Sequence, residues 1–171
     1  MSVLSRDEIL KAIEAKDIEI TPFIPENVGC ASVDLTLSNE FRVFTKEQKT
    51  LEVSEETNYK DITHKFELKE GETFTLEPGQ TCLGITEETI HLSPKYCGLL
   101  EGRSRFARLG LFVHITAGFM NPGIQNRQVL EIFNASSNKL VLKPGTKICQ
   151  FVFIGLKGES VYQGRFKDQS L

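Results

Sequence analysis

Short β-type runs recur along most of this chain with turn chemistry between them, and no other feature limits its fold as strongly. From residue 32 onward the runs are SVDLTL (32–37), FRVF (41–44), TFTL (73–76), TCLGIT (81–86), YCGLL (96–100), LFVHIT (111–116), QVLEIFN (128–134), KLVL (139–142) and KICQFVFIGL (147–156). The segments EGE, EPGQ, NPG, ASSNK and KPGT separate several of them, and their Gly, Pro, Asn and Ser residues favour tight turns. One helix signal precedes these runs. Ser5 and Glu8 have capping-box spacing, and Ile9, Leu10 and Ile13 form an apolar stripe behind them. Residues 45–70 are polar, rich in Glu, Lys and Thr, and read as an irregular arm. No fixed-period repeat and no clean boundary divides the chain, so a single mainly β domain over 1–171, a sandwich or barrel with a short N-terminal helix, is expected. The 171 residues suffice for a core without disulfides or a structural metal.

Charge narrows the function classes. With 20 Lys and Arg against 23 Asp and Glu, the net charge of -3 is not that of a basic nucleic-acid binder. No apolar run is long enough to cross a bilayer. The charged, amphipathic N-terminus lacks the apolar stretch of a secretory signal, so a cytoplasmic protein with no membrane partner is expected. Cys30, Cys82, Cys97 and Cys149 form no CxxC pair and read as free, mostly buried thiols.

Against that balanced charge, LLEGRSRFARLG (99–110) concentrates Arg103, Arg105 and Arg108 around Ser104. Guanidinium groups donate in pairs to phosphate oxygens and stay charged, so the cluster suits a polyanion. Downstream, the two-residue period of QVLEIFN puts Val129, Glu131 and Phe133 on one face and Leu130 and Ile132 on the other. A carboxylate sharing a face with apolar residues either meets a cation or has its pKa raised by burial. That leaves two readings of Glu131 open at this point, a structural ion pair with a nearby arginine and an acid–base group.

ASVDLTLSNEFRVF, EGRSRFARLGL, HITAGFMNPG, VLEIFN and YQGRFKDQ, in that order and spanning about Arg6 to Gln169, resemble the dCTP deaminase family of the trimeric dUTPase-like fold. The resemblance implies a distorted β-barrel or jelly-roll protomer, a homotrimer with active sites at subunit interfaces, and dCTP bound with Mg2+, with dUTP as a possible further substrate and dTTP as an inhibitor. It implies that Arg103, Ser104, Arg105 and Arg108 grip the triphosphate, with Ser104 and Arg108 also serving the deamination. Glu131 matches the proton-transferring glutamate, and Ala117 the position whose backbone contacts the attacking water. Asn121, Val129 and Leu130 match further substrate contacts. Tyr162, Arg165 and Gln169 match a C-terminal tail, residues 160–171, that closes over a site. Zinc is not expected, because the H-x-E…P-C-x-x-C pattern of zinc-dependent deaminases is missing. His114 reads as a strand residue with a structural hydrogen bond.

Four positions depart from the family pattern: Arg105 replaces a serine, Asn121 an aspartate, Ile124 an aromatic and Asn126 a glycine. An amide at 121 can hydrogen-bond a sugar hydroxyl but cannot accept a proton as a base. This favours deamination alone, giving dUTP and ammonia. The TAGF segment (116–119) instead resembles the bifunctional and dUTPase versions, which keeps a dUTP diphosphatase or bifunctional enzyme as the alternative. A non-catalytic nucleotide-binding regulatory trimer is the second alternative. The tail stops two residues after Gln169, from which weaker closure is expected.

Overall fold

The structure is a computed structural model that describes residues 2–47, 49–167 and 169–171. Helix α1 (Arg6–Glu14) starts directly after Ser5, as its spacing predicts, but the Ser5 side chain makes no capping bond. Glu8 pairs instead with Lys11 at 2.6 Å, an exposed contact of small energetic weight. The helix is held by its buried face, where Ile9 and Ala12 join the core.

Among the described residues, nine strands form one curled antiparallel sheet, a half-barrel. Its main path runs β7 (Leu111–Val113), β9 (Gln125–Asn134), β5 (Thr81–Leu92), β2 (Val33–Phe44), β11 (Lys147–Gly155), β6 (Tyr96–Gly102) and β8 (Phe119–Met120). Off this path β1 (Ile18–Thr21) pairs with β5 and β3 (Thr63–Glu67) with β2, while β4 (Phe74–Leu76) and β10 (Leu140–Leu142) make a separate antiparallel pair.

The mainly β expectation holds, with local corrections. SVDLTL and FRVF are one strand, β2, whose pairing with β5 shifts register between Leu37 and Phe41. That irregularity accommodates the polar residues between the two runs. The polar stretch 45–70 is irregular only in its first part, since β3 pairs Phe66 with Phe41. LFVHIT stops being strand at Val113, so His114 is not a strand residue.

One buried cluster extends from Ile9 of α1 to Phe153 of β11. Within it Phe41, Phe66 and Phe74 pack with ring centroids 5.4–5.8 Å apart, the offset and edge contacts aromatic rings favour. Phe151 and Phe153 stack at 4.7 Å. Gly98 on β6 is required by this packing, because a Cβ there would overlap the Phe151 ring. Cys82, Cys97 and Cys149 are buried free thiols and Cys30 is exposed. Burial pushes the Cys82 thiol up to about 12, so it stays protonated and inert.

Candidate active site

Pairing of β7 with β9 builds the centre of the site. The register sets Val113 opposite Ile132, so the next residue, His114, falls beside Glu131, and the His114 N–H donates to the Glu131 carbonyl at 2.8 Å. His114 then leaves the strand with φ of 55°, a left-handed conformation that a side chain adopts at some cost. Its imidazole Nδ1 stands 2.7 Å from Glu131 Oε2. The approach is close, and neither atom has another partner among the described residues.

Proton positions follow from the other side of the ring. His114 Nε2 lies 3.1 Å from the Ala117 carbonyl, which can only accept, so Nε2 carries a hydrogen. A second ring hydrogen on Nδ1, or one on the carboxyl, is then needed to make the Glu131 contact attractive. Burial pushes the Glu131 carboxyl up, but the adjacent imidazole outweighs it and holds the group below its ordinary value. The side chain that meets Glu131 is thus His114, not an arginine among the described residues, and the lowered carboxyl is ionised at neutral pH.

This pair opens into a pocket of about 440 Å³. Ala117, Asn121, Val129, Glu131, Tyr162 and Gln169 all line it, so six of the site residues expected from sequence meet in one place. Phe44, Tyr59, Leu83, Phe119, Met120 and Phe166 make its wall largely apolar, with Asn126 as a further polar group. A mostly apolar cavity with few convergent polar groups is the common form of a small-molecule site.

The tail reaches this pocket from the protein's own C-terminal end. Tyr162 N–H donates to the Pro122 carbonyl at 2.9 Å, and Gln169 Nε2 donates to the Arg127 carbonyl at 3.1 Å. Arg165 is turned outward, donating to the Glu55 carbonyl at 3.2 Å and lying over the Phe166 ring. Leu130, fully buried on the opposite face of β9, offers the pocket no side chain.

The arginine cluster lies apart from the pocket. It occupies the end of β6 and the four-residue helix α2 (Ser104–Ala107). Arg103 pairs with Asp34 at 3.0 Å and donates to the Lys147 carbonyl at 2.7 Å. Ser104, Arg105 and Arg108 are exposed, and the two arginines have no ion-pair or side-chain hydrogen-bond partner among the described residues. None of these four lines the pocket.

Sequence reasoning gave His114 only a structural role and did not select Phe44, Tyr59, Phe119, Met120, Asn126 or Phe166 for the site. The signal for His114 was its place one residue beyond a short apolar run that pairs with QVLEIFN. Among the described residues no group of three or more His, Cys, Asp or Glu side chains is arranged to hold a metal ion, and no helix is long and apolar enough to cross a membrane.

Residues 3–156 match the family described as dCTP deaminase-like. Relatives named "dCTP deaminase, dUMP-forming" include that of Bifidobacterium longum strain DJO10A, 39% identical over 154 residues, which covers 90% of this chain and 79% of the relative. The Salinispora tropica protein of the same name is 35% identical over 174 residues, covering 98% and 90%. In three dimensions the chain is similar to the 2'-deoxycytidine 5'-triphosphate deaminase of Agrobacterium tumefaciens, with a TM-score of 0.68 and 19% identity over 88% of this chain. It spans about half of that longer protein, 47%, and the likeness establishes the dUTPase-like fold.

Proposed function

The chain belongs to the dCTP deaminase-like family, and from that premise we propose that it hydrolyses the C4 amino group of dCTP without zinc, releasing dUTP and ammonia. The observation that carries this reading is the Glu131–His114 pair facing a nucleoside-sized pocket. An ionised carboxylate there takes a proton from water as the water oxygen bonds to C4 of the cytosine ring, and passes that proton to N3. The resulting tetrahedral centre collapses when the hydroxyl proton moves through Glu131 to the amine. The C4–N bond breaks, ammonia leaves, and C4 becomes a carbonyl. His114 holds Glu131 ionised at the start, and the Ala117 carbonyl fixes the ring. Magnesium arrives with the triphosphate as part of the substrate.

The displaced arginine cluster supports a shared site. Ser104, Arg105 and Arg108 lie in and beside α2, exposed and outside the lining of the chain's own pocket, so a second copy is needed to bring such a cluster to it. Exposed Leu109, Phe112, Ile115, Phe119 and Val141 supply apolar surface for that contact. A homotrimer in which each pocket borrows α2 from a neighbour fits both observations, with the whole chain acting as one domain and residues 160–171 as its closing strap.

The names of these relatives favour a second reading, in which the product goes on to dUMP and pyrophosphate. Asn121 in the pocket weighs against it, since an amide cannot act as the base for attack at the α-phosphate. Incubation with Mg-dCTP, with ammonia, dUTP, dUMP and pyrophosphate measured separately, tests both. Ammonia with dUTP supports the first reading and ammonia with dUMP the second. Failure to release ammonia overturns the deaminase assignment.

A further inference from the structure

Asn126 sits on β9 at the pocket wall and is 6% exposed. Both hydrogens of its amide are used on the C-terminal strap. Nδ2 donates to the Phe166 carbonyl at 2.9 Å and to the Lys167 carbonyl at 2.8 Å. Its orientation is fixed from behind, because Oδ1 accepts from Gln128 Nε2 at 2.8 Å and Gln128 is itself fully buried. An amide turned the other way would set oxygen against both strap carbonyls and NH2 against the Gln128 donor. The assignment is therefore determined by three groups at once.

The strap has other attachments besides these, among them Tyr162 N–H to the Pro122 carbonyl at 2.9 Å and Gln169 Nε2 to the Arg127 carbonyl at 3.1 Å. Tyr59 Oη donates to the Ser170 carbonyl at 3.1 Å, an exposed bond. Leu171 is 5% exposed against Leu83 and Ile85, which gives the strap an apolar anchor at its far end. Asn126 alone among these side chains gives two donors to the strap, and it holds backbone carbonyls, which depend little on the strap's side chains.

We infer that Asn126 is a positioning residue that clamps the strap of each chain over that chain's own pocket before nucleotide arrives. The strap is a wall of the pocket, since Tyr162 and Phe166 line it while the cavity stays open at about 440 Å³. A wall ordered in advance spares substrate binding the entropy of ordering it. The clamp therefore acts on the affinity for dCTP and leaves the chemical step at Glu131 alone. This kinetic half rests on the deaminase reading above; the docking half does not.

Trypsin cuts after Arg165 and Lys167, so loss of the C-terminal peptide reports how often the strap undocks, provided reclosing is faster than cutting. Asn126→Asp keeps the side-chain shape but turns a carboxylate oxygen on both carbonyls. Asn126→Ala removes the donors without adding charge and replaces the aspartate variant if that one does not fold. Either variant is expected to speed cleavage within the strap about tenfold, the scale of two ordinary hydrogen bonds, while cleavage after Lys69, in the turn before β4, is unchanged. With Mg-dCTP, KM is expected to rise about tenfold and kcat to stay within about twofold. Equal strap cleavage in variant and parent, or a fall in kcat at unchanged KM, would overturn the clamp. Faster strap cleavage in a variant whose parent does not turn over dCTP would instead overturn the deaminase reading and leave the clamp standing.

Discussion

His114 Nδ1 and Glu131 Oε2 stand 2.7 Å apart across the β7–β9 pairing, with the imidazole almost fully buried and the carboxylate side chain 42% exposed toward the pocket. The buried imidazole holds the carboxyl below its ordinary pKa, and the half-exposed carboxylate faces the pocket as a proton acceptor.

Glu131→Gln keeps the size of the side chain and removes its ability to carry a proton. Deamination is expected to fall at least about a hundredfold, the usual scale for an acid–base group, while the melting temperature and dCTP affinity stay near those of the parent. Single-turnover ammonia release, calorimetric binding and a thermal melt together check this. Near-normal turnover would remove Glu131 from the mechanism.

A pH profile tests the pairing itself. His114→Asn suits the left-handed backbone at φ 55°, since asparagine tolerates that region better than most residues, and it takes away the imidazole. Burial, which raises the Glu131 pKa, then acts without the imidazole that overcomes it. The acid limb of kcat/KM is expected to move to higher pH in the variant. In the parent the depressed carboxyl contributes stability above its unfolded pKa and loses it as pH falls through the folded value, so the variant's acid melting should also flatten. An unmoved acid limb would show that His114 does not set the charge of Glu131.

The side of β9 that carries Glu131 was legible from residue order, because a period of two beside Val129 determines it. The partner of Glu131 was not, since it depends on the β7–β9 register and on a left-handed turn at His114. Nor was β3, whose THKFE pattern has polar residues at nearly every position and pairs only because Phe66 meets Phe41. Arg165 and Gln169 were assigned to a nucleotide by resemblance, whereas in the structure both donate to backbone carbonyls of the same chain. Contacts between a tail and a distant backbone carry no sequence periodicity. The curled sheet was legible for the opposite reason, because each of its longer strands announces itself by alternation and by the turn that follows.

The arginines divide by their partners. Arg108→Ala and Arg105→Ala remove groups with no side-chain partner among the described residues, so each is expected to weaken dCTP about ten- to hundredfold, the range for hydrogen bonds to charged groups. Deoxycytidine binding should be little affected, and added salt should narrow the difference. Arg103→Ala also leaves Asp34 unpaired, and a lowered melting temperature is expected in that variant alone. Equal losses for nucleotide and nucleoside in the Arg108 variant would make that arginine structural.

Asn121 separates the two product readings. It follows β8 directly and lines the same pocket as Glu131. With an amide at this position the parent is expected to turn dCTP into dUTP and ammonia, release no pyrophosphate, and leave added dUTP intact. Asn121→Asp supplies a proton acceptor, and a measurable yield of dUMP with pyrophosphate is the expected gain. Ile124, buried in the core, and Asn126, committed to the strap, keep the rest of that wall as it is in the parent, so the gain should be partial. Chromatographic separation of the nucleotides alongside an enzymatic pyrophosphate assay reads both steps in one incubation. If the parent already yields dUMP and pyrophosphate, a group other than residue 121 activates the second water, and the dUMP-forming reading replaces the first.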